Sequence, residues 1–139
     1  MVLVFAGYLL FVPKKAPVQE APAGGQPSAK IPAGQVQPSG REVTVTYTDQ
    51  GFSPNPVTVS KGDSVLFMNR SGVEMWPASA VHPTHSEYPT TGGCIGSTFD
   101  ACRGVGTGNG WAFKFDIPGS WKYHNHLNTA HTGTVIVNE

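Results

Sequence analysis

The residues of this chain with the most chemistry to offer are five histidines, and all five fall in two short stretches. His82-Pro83-Thr84-His85 forms one, and His124-Asn125-His126 with His131 forms the other. Neutral imidazole ligates Cu(II), Zn or Ni, and the affinity order puts copper first, with zinc as the other candidate. In an extended strand, residues two apart project from one face, so His124 and His126 make a ready chelating pair. Trp121, Tyr123 and Asn125 share the opposite parity and should face the core. A histidine pair on a strand is often only a solvated face, and histidines beside proline are common in loops. Five of five outside the core strands favour a metal site drawn from His82, His85, His124, His126 and His131. Neutral imidazole is the ligand form, so affinity should fall below about pH 6.

No catalytic constellation accompanies them. No serine stands in a defensible arrangement with His and Asp, and Glu87, Asp100 and Asp116 form no paired pattern. The chain is therefore not read as an enzyme. Met75 and Trp76 read first as packing residues; capping a Cu(I) site through the thioether and a cation–π contact is the alternative.

The elements that must position these histidines are strands. Glu42 to Tyr47 alternates and is β-branched, Val57-Thr58-Val59 alternates again, and Ser64 to Asn69 is a third strand. Phe52 to Pro56 reads as a turn and Lys61-Gly62-Asp63 as a hairpin-type turn. Strand pattern returns at Trp111 to Ile117, at Ser120 to Tyr123 after Pro118-Gly119, and at Thr134 to Val137. Between them, residues 70–109 form a long irregular loop, and loops of that length are usually functional or disordered. No sustained 3.6-residue apolar period exists, so the fold class is an all-β sandwich.

Composition agrees. Charged residues make up 13%, and 17 glycines and 12 prolines suit short strands joined by turns. Nine basic residues balance nine acidic ones, which argues against a nucleic-acid partner. The length of 139 residues fits one domain, placed at 41–139. Residues 1–12 are apolar but shorter than the ~20 needed to span a bilayer. They read as the remnant of a signal anchor, a cleaved signal or a sticky terminus. Residues 13–40 hold half of the prolines and too little apolar surface to fold, which makes them a semi-stiff linker. Either of the first two readings puts the domain outside the cytoplasm, with membrane contact only through the N-terminal segment. Cys94 and Cys102 lack the spacing of a thiolate zinc site. In an oxidising compartment they would bond to each other; otherwise they are two unrelated reduced thiols.

Taken in order, several of these segments resemble the cupredoxin family over residues 42–138. Phe52-x-Pro54 with Val57-x-Val59-x-x-Gly62-Asp63-x-Val65-x-Phe67-x-Asn69 is similar to its N-terminal half. Pro118-Gly119-Ser120-Trp121-x-Tyr123 and Gly133-x-Val135-x-Val137 are similar to its C-terminal half. The chain particularly resembles cupredoxin-domain proteins carrying MW-x-AS, HP-x-H-x-x-YP and YHNHLN, without a cysteine ligand. The resemblance implies a Greek-key β-sandwich and copper. It also implies that the blue site is absent, since Asn125 occupies the place of the thiolate and His131 that of the axial Met. Three functions follow: a non-blue, histidine-only copper protein for binding, storage or transfer; an electron-transfer protein; or a metal-free interaction module.

Overall fold

Val43, Val45 and Tyr47 alternate with threonines, and that period of two lets one face of the first strand sink into the core while the other stays wet. The computed structural model, which describes residues 40–139, realises this as β1, Glu42–Thr48. The apolar N-terminal segment and the linker, Gly40 apart, lie outside the described residues. The remaining strands are β2 Gly51–Ser53, β3 Val57–Ser60, β4 Ser64–Asn69, β5 Pro77–Ser79, β6 Gly110–Lys114, β7 Gly119–Asn125 and β8 Asn128–Asn138. Among the described residues there is no helix.

Two four-stranded sheets result, ordered β2-β1-β4-β6 and β3-β8-β7-β5. Two pairings are parallel, β1 with β4 (Val45 opposite Phe67) and β3 with β8 (Val57 opposite Val135). Each needs a connection that leaves its own sheet, which is what makes a sandwich of crossed connections rather than a meander. The expected hairpin at Lys61-Gly62-Asp63 is such a crossing: β3 lies in one sheet and β4 in the other. Asp63 closes the turn, taking Ser60 N–H at 2.9 Å and Arg41 N–H at 3.2 Å on its two oxygens.

Two short strands were not legible as such. Gly51–Ser53, within reach of a turn reading, pairs antiparallel with β1. Pro77–Ser79 lies inside the long loop and pairs with β7. That loop is also fastened to the core. Its Phe99 is fully buried, with ring centroids 5.0 Å from both Phe113 and Phe115 and 5.9 Å from Phe67. Tyr88 and Met75 are buried too. Each such side chain contributes on the order of 2 kcal/mol on burial, enough to hold an irregular backbone in place.

Candidate metal centre

The centre is built where β7 runs between β8 and the edge strand β5. Tyr123 enters the core and is buried, so its neighbour His124 emerges on the opposite face, opposite Ala78 of β5. A register shift at His124/Asn125 ends the regular ladder. His126 nevertheless stays in line because its N–H donates to the Trp76 carbonyl at 2.8 Å. The chain leaving β5 makes a compact excursion whose ends are tied together: Ala80 N–H donates to Lys122 O at 2.9 Å and Glu87 N–H to Ala80 O at 2.6 Å. This excursion carries His82 and His85 over the outward face of β7.

There the structure brings His82, His85, His124 and His126 together, with one candidate ligand nitrogen from each lying within 4.8 Å of the others. The two rings of the excursion alternate with the two at the end of β7 and in the turn after it. Centroid distances between the pairs are 5.4 Å (His82–His124), 4.9 Å (His82–His126), 5.0 Å (His85–His124) and 4.9 Å (His85–His126). The two diagonals, 6.1 and 6.3 Å, are shorter than a planar square of that side allows, so the four rings fold toward a tetrahedron. His85 and His124 are buried, His126 is half-buried and His82 is exposed at the mouth. A cavity of about 450 Å³ opens beside His82 and His124, with Ala80, Val81 and Thr132 also on its wall.

Burial sets the protonation. His124 is pushed down to about 4, first by desolvation and then by the neighbouring His85, His82 and His126. His126 is lowered too, again by burial first and then by His85 and His82. Both are thus held in the neutral form that ligates. The Nε2 of His124 is buried without any hydrogen-bond partner. His126 Nδ1 faces His85 Nε2 at 3.0 Å.

His131 does not join the group. Its Nδ1 meets the Tyr47 hydroxyl at 2.9 Å, at the other end of a polar chain through Asn125. Asn125 is buried and donates from Nδ2 to that same hydroxyl at 2.8 Å. Its Oδ1 accepts from Trp76 N–H at 2.8 Å and Leu127 N–H at 3.1 Å. The positions that resemble the blue-site thiolate and axial ligand are thereby joined in one hydrogen-bonded strut. Met75 is fully buried in the core, as expected of a packing residue. Trp76 does more than pack: its ring lies 4.4 Å from that of His126.

Asp100, which by sequence belongs to no paired pattern, is paired with His85 in the structure. It is buried, and its Oδ2 lies 2.5 Å from His85 Nδ1. Its Oδ1 accepts from Trp76 Nε1–H at 2.6 Å and Cys102 N–H at 2.8 Å. Nothing in its spacing marks it, since fifteen residues of irregular chain separate it from His85. The loop is closed by the Cys94–Cys102 disulfide, which settles the pairing left open above. The other two acidic residues considered do not approach the centre: Glu87 accepts from Lys122 N–H, and Asp116 pairs with Lys114 at the surface.

No family model matches the sequence, and no curated protein does either. Solved structures do. One is described as a novel purple cupredoxin from Nitrosopumilus maritimus, at TM-score 0.56 and 16% identity, covering 68% of this chain and 98% of that one. Another is a reduced Cu(I) form of an amicyanin variant, at TM-score 0.55 and 16% identity, covering 70% and 82%. A second reduced amicyanin variant gives 0.55 and 17%, covering 72% and 84%. The fold is that of the cupredoxins. At these identities the likeness speaks for the sandwich and its Greek-key connections alone.

Proposed function

We propose that this protein binds copper outside the cytoplasm through a non-blue site made of histidines alone, His82, His85, His124 and His126. The observation that carries this reading is the unpartnered, buried Nε2 of His124, surrounded by three further imidazoles. A buried polar atom left unpaired costs about 1–3 kcal/mol, which a ligated cation would relieve. The donor set fits: four neutral imidazoles suit copper or zinc, and the copper forms among the structural neighbours weigh toward copper. Bound there, copper would supply a cation able to change oxidation state without a sulfur ligand. The residues do the rest. His82 at the mouth receives, the buried His85 and His124 exclude water, and Trp76 covers the ring of His126.

The disulfide supports an oxidising compartment, and the apolar residues 1–12 support tethering at a membrane. Storage or transfer of copper is the role favoured by a site with one exposed ligand. Electron transfer is the second reading, favoured by the folded arrangement of the four rings between the planar and tetrahedral limits. A reversible redox wave of the copper-loaded protein selects it.

The test is a copper titration, with zinc in parallel, of untagged protein and of His124→Ala, His126→Ala and the double variant. Each single change should weaken binding at least about tenfold, the scale on which even outer-shell changes act. The double variant should bind no copper. Parental binding by all three would make the pair a solvated face, and a parent that takes up no metal would leave a sandwich used for protein contacts.

A further inference from the structure

We propose that Asp100 is the positioning residue of this centre: its carboxylate holds His85 as the Nδ1–H tautomer, so that Nε2 is the atom turned to the other histidines. The inference rests on the histidine-only reading and adds a residue from outside the four-histidine group.

A carboxylate only accepts hydrogen bonds, so with Oδ2 at 2.5 Å the proton between it and His85 Nδ1 is donated by the ring. Nε2 is then bare, and it is the nitrogen that lies 3.0 Å from His126 Nδ1. The arrangement is over-determined. His85 sits at φ +49°, a left-handed conformation that a residue with a side chain adopts at a cost, and Cys102 beside Asp100 sits at +59°. His85 is fully buried, and the backbone of the disulfide loop presses against it: a Cβ on Gly96 would fall 2.7 Å from the His85 carbonyl oxygen. Asp100 cannot turn away, because Trp76 Nε1–H and Cys102 N–H both hold Oδ1. Through Trp76 the same carboxylate also sets the ring that lies against His126, tilted by 38° at a centroid distance of 4.4 Å. One buried anion thus orients two of the four imidazoles from behind, the arrangement by which outer carboxylates fix ring orientation and raise ligand basicity.

Asp100→Asn separates positioning from packing, because it keeps shape and reverses one hydrogen bond. The two donors at Oδ1 oblige the amide oxygen to remain there, which turns the amide NH2 toward His85. The ring must then accept at Nδ1 and carry its proton on Nε2, while the bond to His126 reverses direction. Long-range 1H–15N spectra of the metal-free protein read the tautomer directly. The parent should show His85 protonated on Nδ1 and the variant on Nε2, with copper affinity lower by about 10–100-fold. Trp76→Phe, which removes a donor to Oδ1 but not the His85 bond, should keep the parental tautomer. A parent with His85 protonated on Nε2 overturns the proposal whether or not the variant folds. Parental tautomer or parental affinity in a folded Asp100→Asn overturns it as well. If the tautomer reverses but the parent binds no metal, the copper reading falls and the assignment of Asp100 stands.

Discussion

Asn125 holds the chain position that would carry a thiolate by resemblance, and the structure spends it on hydrogen bonds. Its side chain joins Trp76 and Leu127 backbone to Tyr47 and on to His131, so that position offers the four imidazoles no thiolate. Both cysteines are consumed by their bond to each other. Copper-loaded protein should therefore lack the intense absorption at about 600 nm of a copper–thiolate bond, leaving only weak ligand-field bands. An optical spectrum of protein loaded with one equivalent of Cu(II) checks this. A deep blue solution would mean that a cysteine had left its disulfide for the metal. The neighbour of Asn125 is as informative: His124 differs from a surface histidine because its strand parity drives it under the loop, where its Nε2 loses water and finds no protein partner.

At the scale of elements, the long loop is what converts a strand pair into a four-membered group. It does so as a rigid part of the sandwich. Ser79 N–H donates to Phe99 O at 2.8 Å and Ala101 N–H to Pro77 O at 3.0 Å, so the disulfide loop is stitched to β5 on either side of Asp100. The bond between Cys94 and Cys102 closes a span of 8 residues, worth about 2–3 kcal/mol by loop-entropy reasoning. Reduction with a dithiol should lower the denaturation free energy by that amount and weaken copper binding, because Cys102 N–H would no longer be held against Asp100. Denaturant melts and copper titrations of oxidised and reduced protein test this, and thiol titration of unfolded, unreduced protein should find no free thiol. Unchanged copper affinity after full reduction would show that β5 and Trp76 suffice to hold the carboxylate.

The whole molecule sets the pH range of the centre. A histidine whose folded pKa lies below its unfolded value takes its proton preferentially in the unfolded chain. Stability carried by neutral His124 is therefore complete above its unfolded value of 6.5 and is lost as pH falls toward about 4. The metal-free protein should lose melting temperature across that window, with an upper limit on the order of 3 kcal/mol from this residue. His124→Gln, which does not titrate, should flatten the curve. Bound metal should flatten it too, since a ligand of the folded state stabilises by mass action. Melting temperatures of the three samples between pH 4 and 7.5 make the comparison; a metal-free parent as flat as the variant would mean that His124 is hydrated. The same depression carries proton competition at His124 below the pH of about 6 expected for an ordinary imidazole.

Much of this was determined by the sequence alone, because it depends on local periodicity. The alternation at Val43 to Tyr47, Ser64 to Asn69 and Thr134 to Val137 dictated strands with one buried face, and the parity of Tyr123 against His124 dictated which of the two would leave the core, whereas His126 lies past the end of β7 and is placed by its bond to Trp76. What only tertiary structure decided depends on chain far apart in sequence. β5 has three residues and no alternation of its own, and it is a strand because β7 offers it an edge. His131 lies five residues from His126 yet turns to Tyr47, because its neighbour Thr132 is the β8 residue that stands opposite His124 and beside the cavity, which leaves His131 on the other face of the strand. Asp100 reaches His85 only once Phe99 is in the core and the disulfide is closed. Spacing rules see residues that share one element, whereas this centre takes its ligands and its carboxylate from a strand, a loop excursion and a bridged loop, which only the packed core brings to one place.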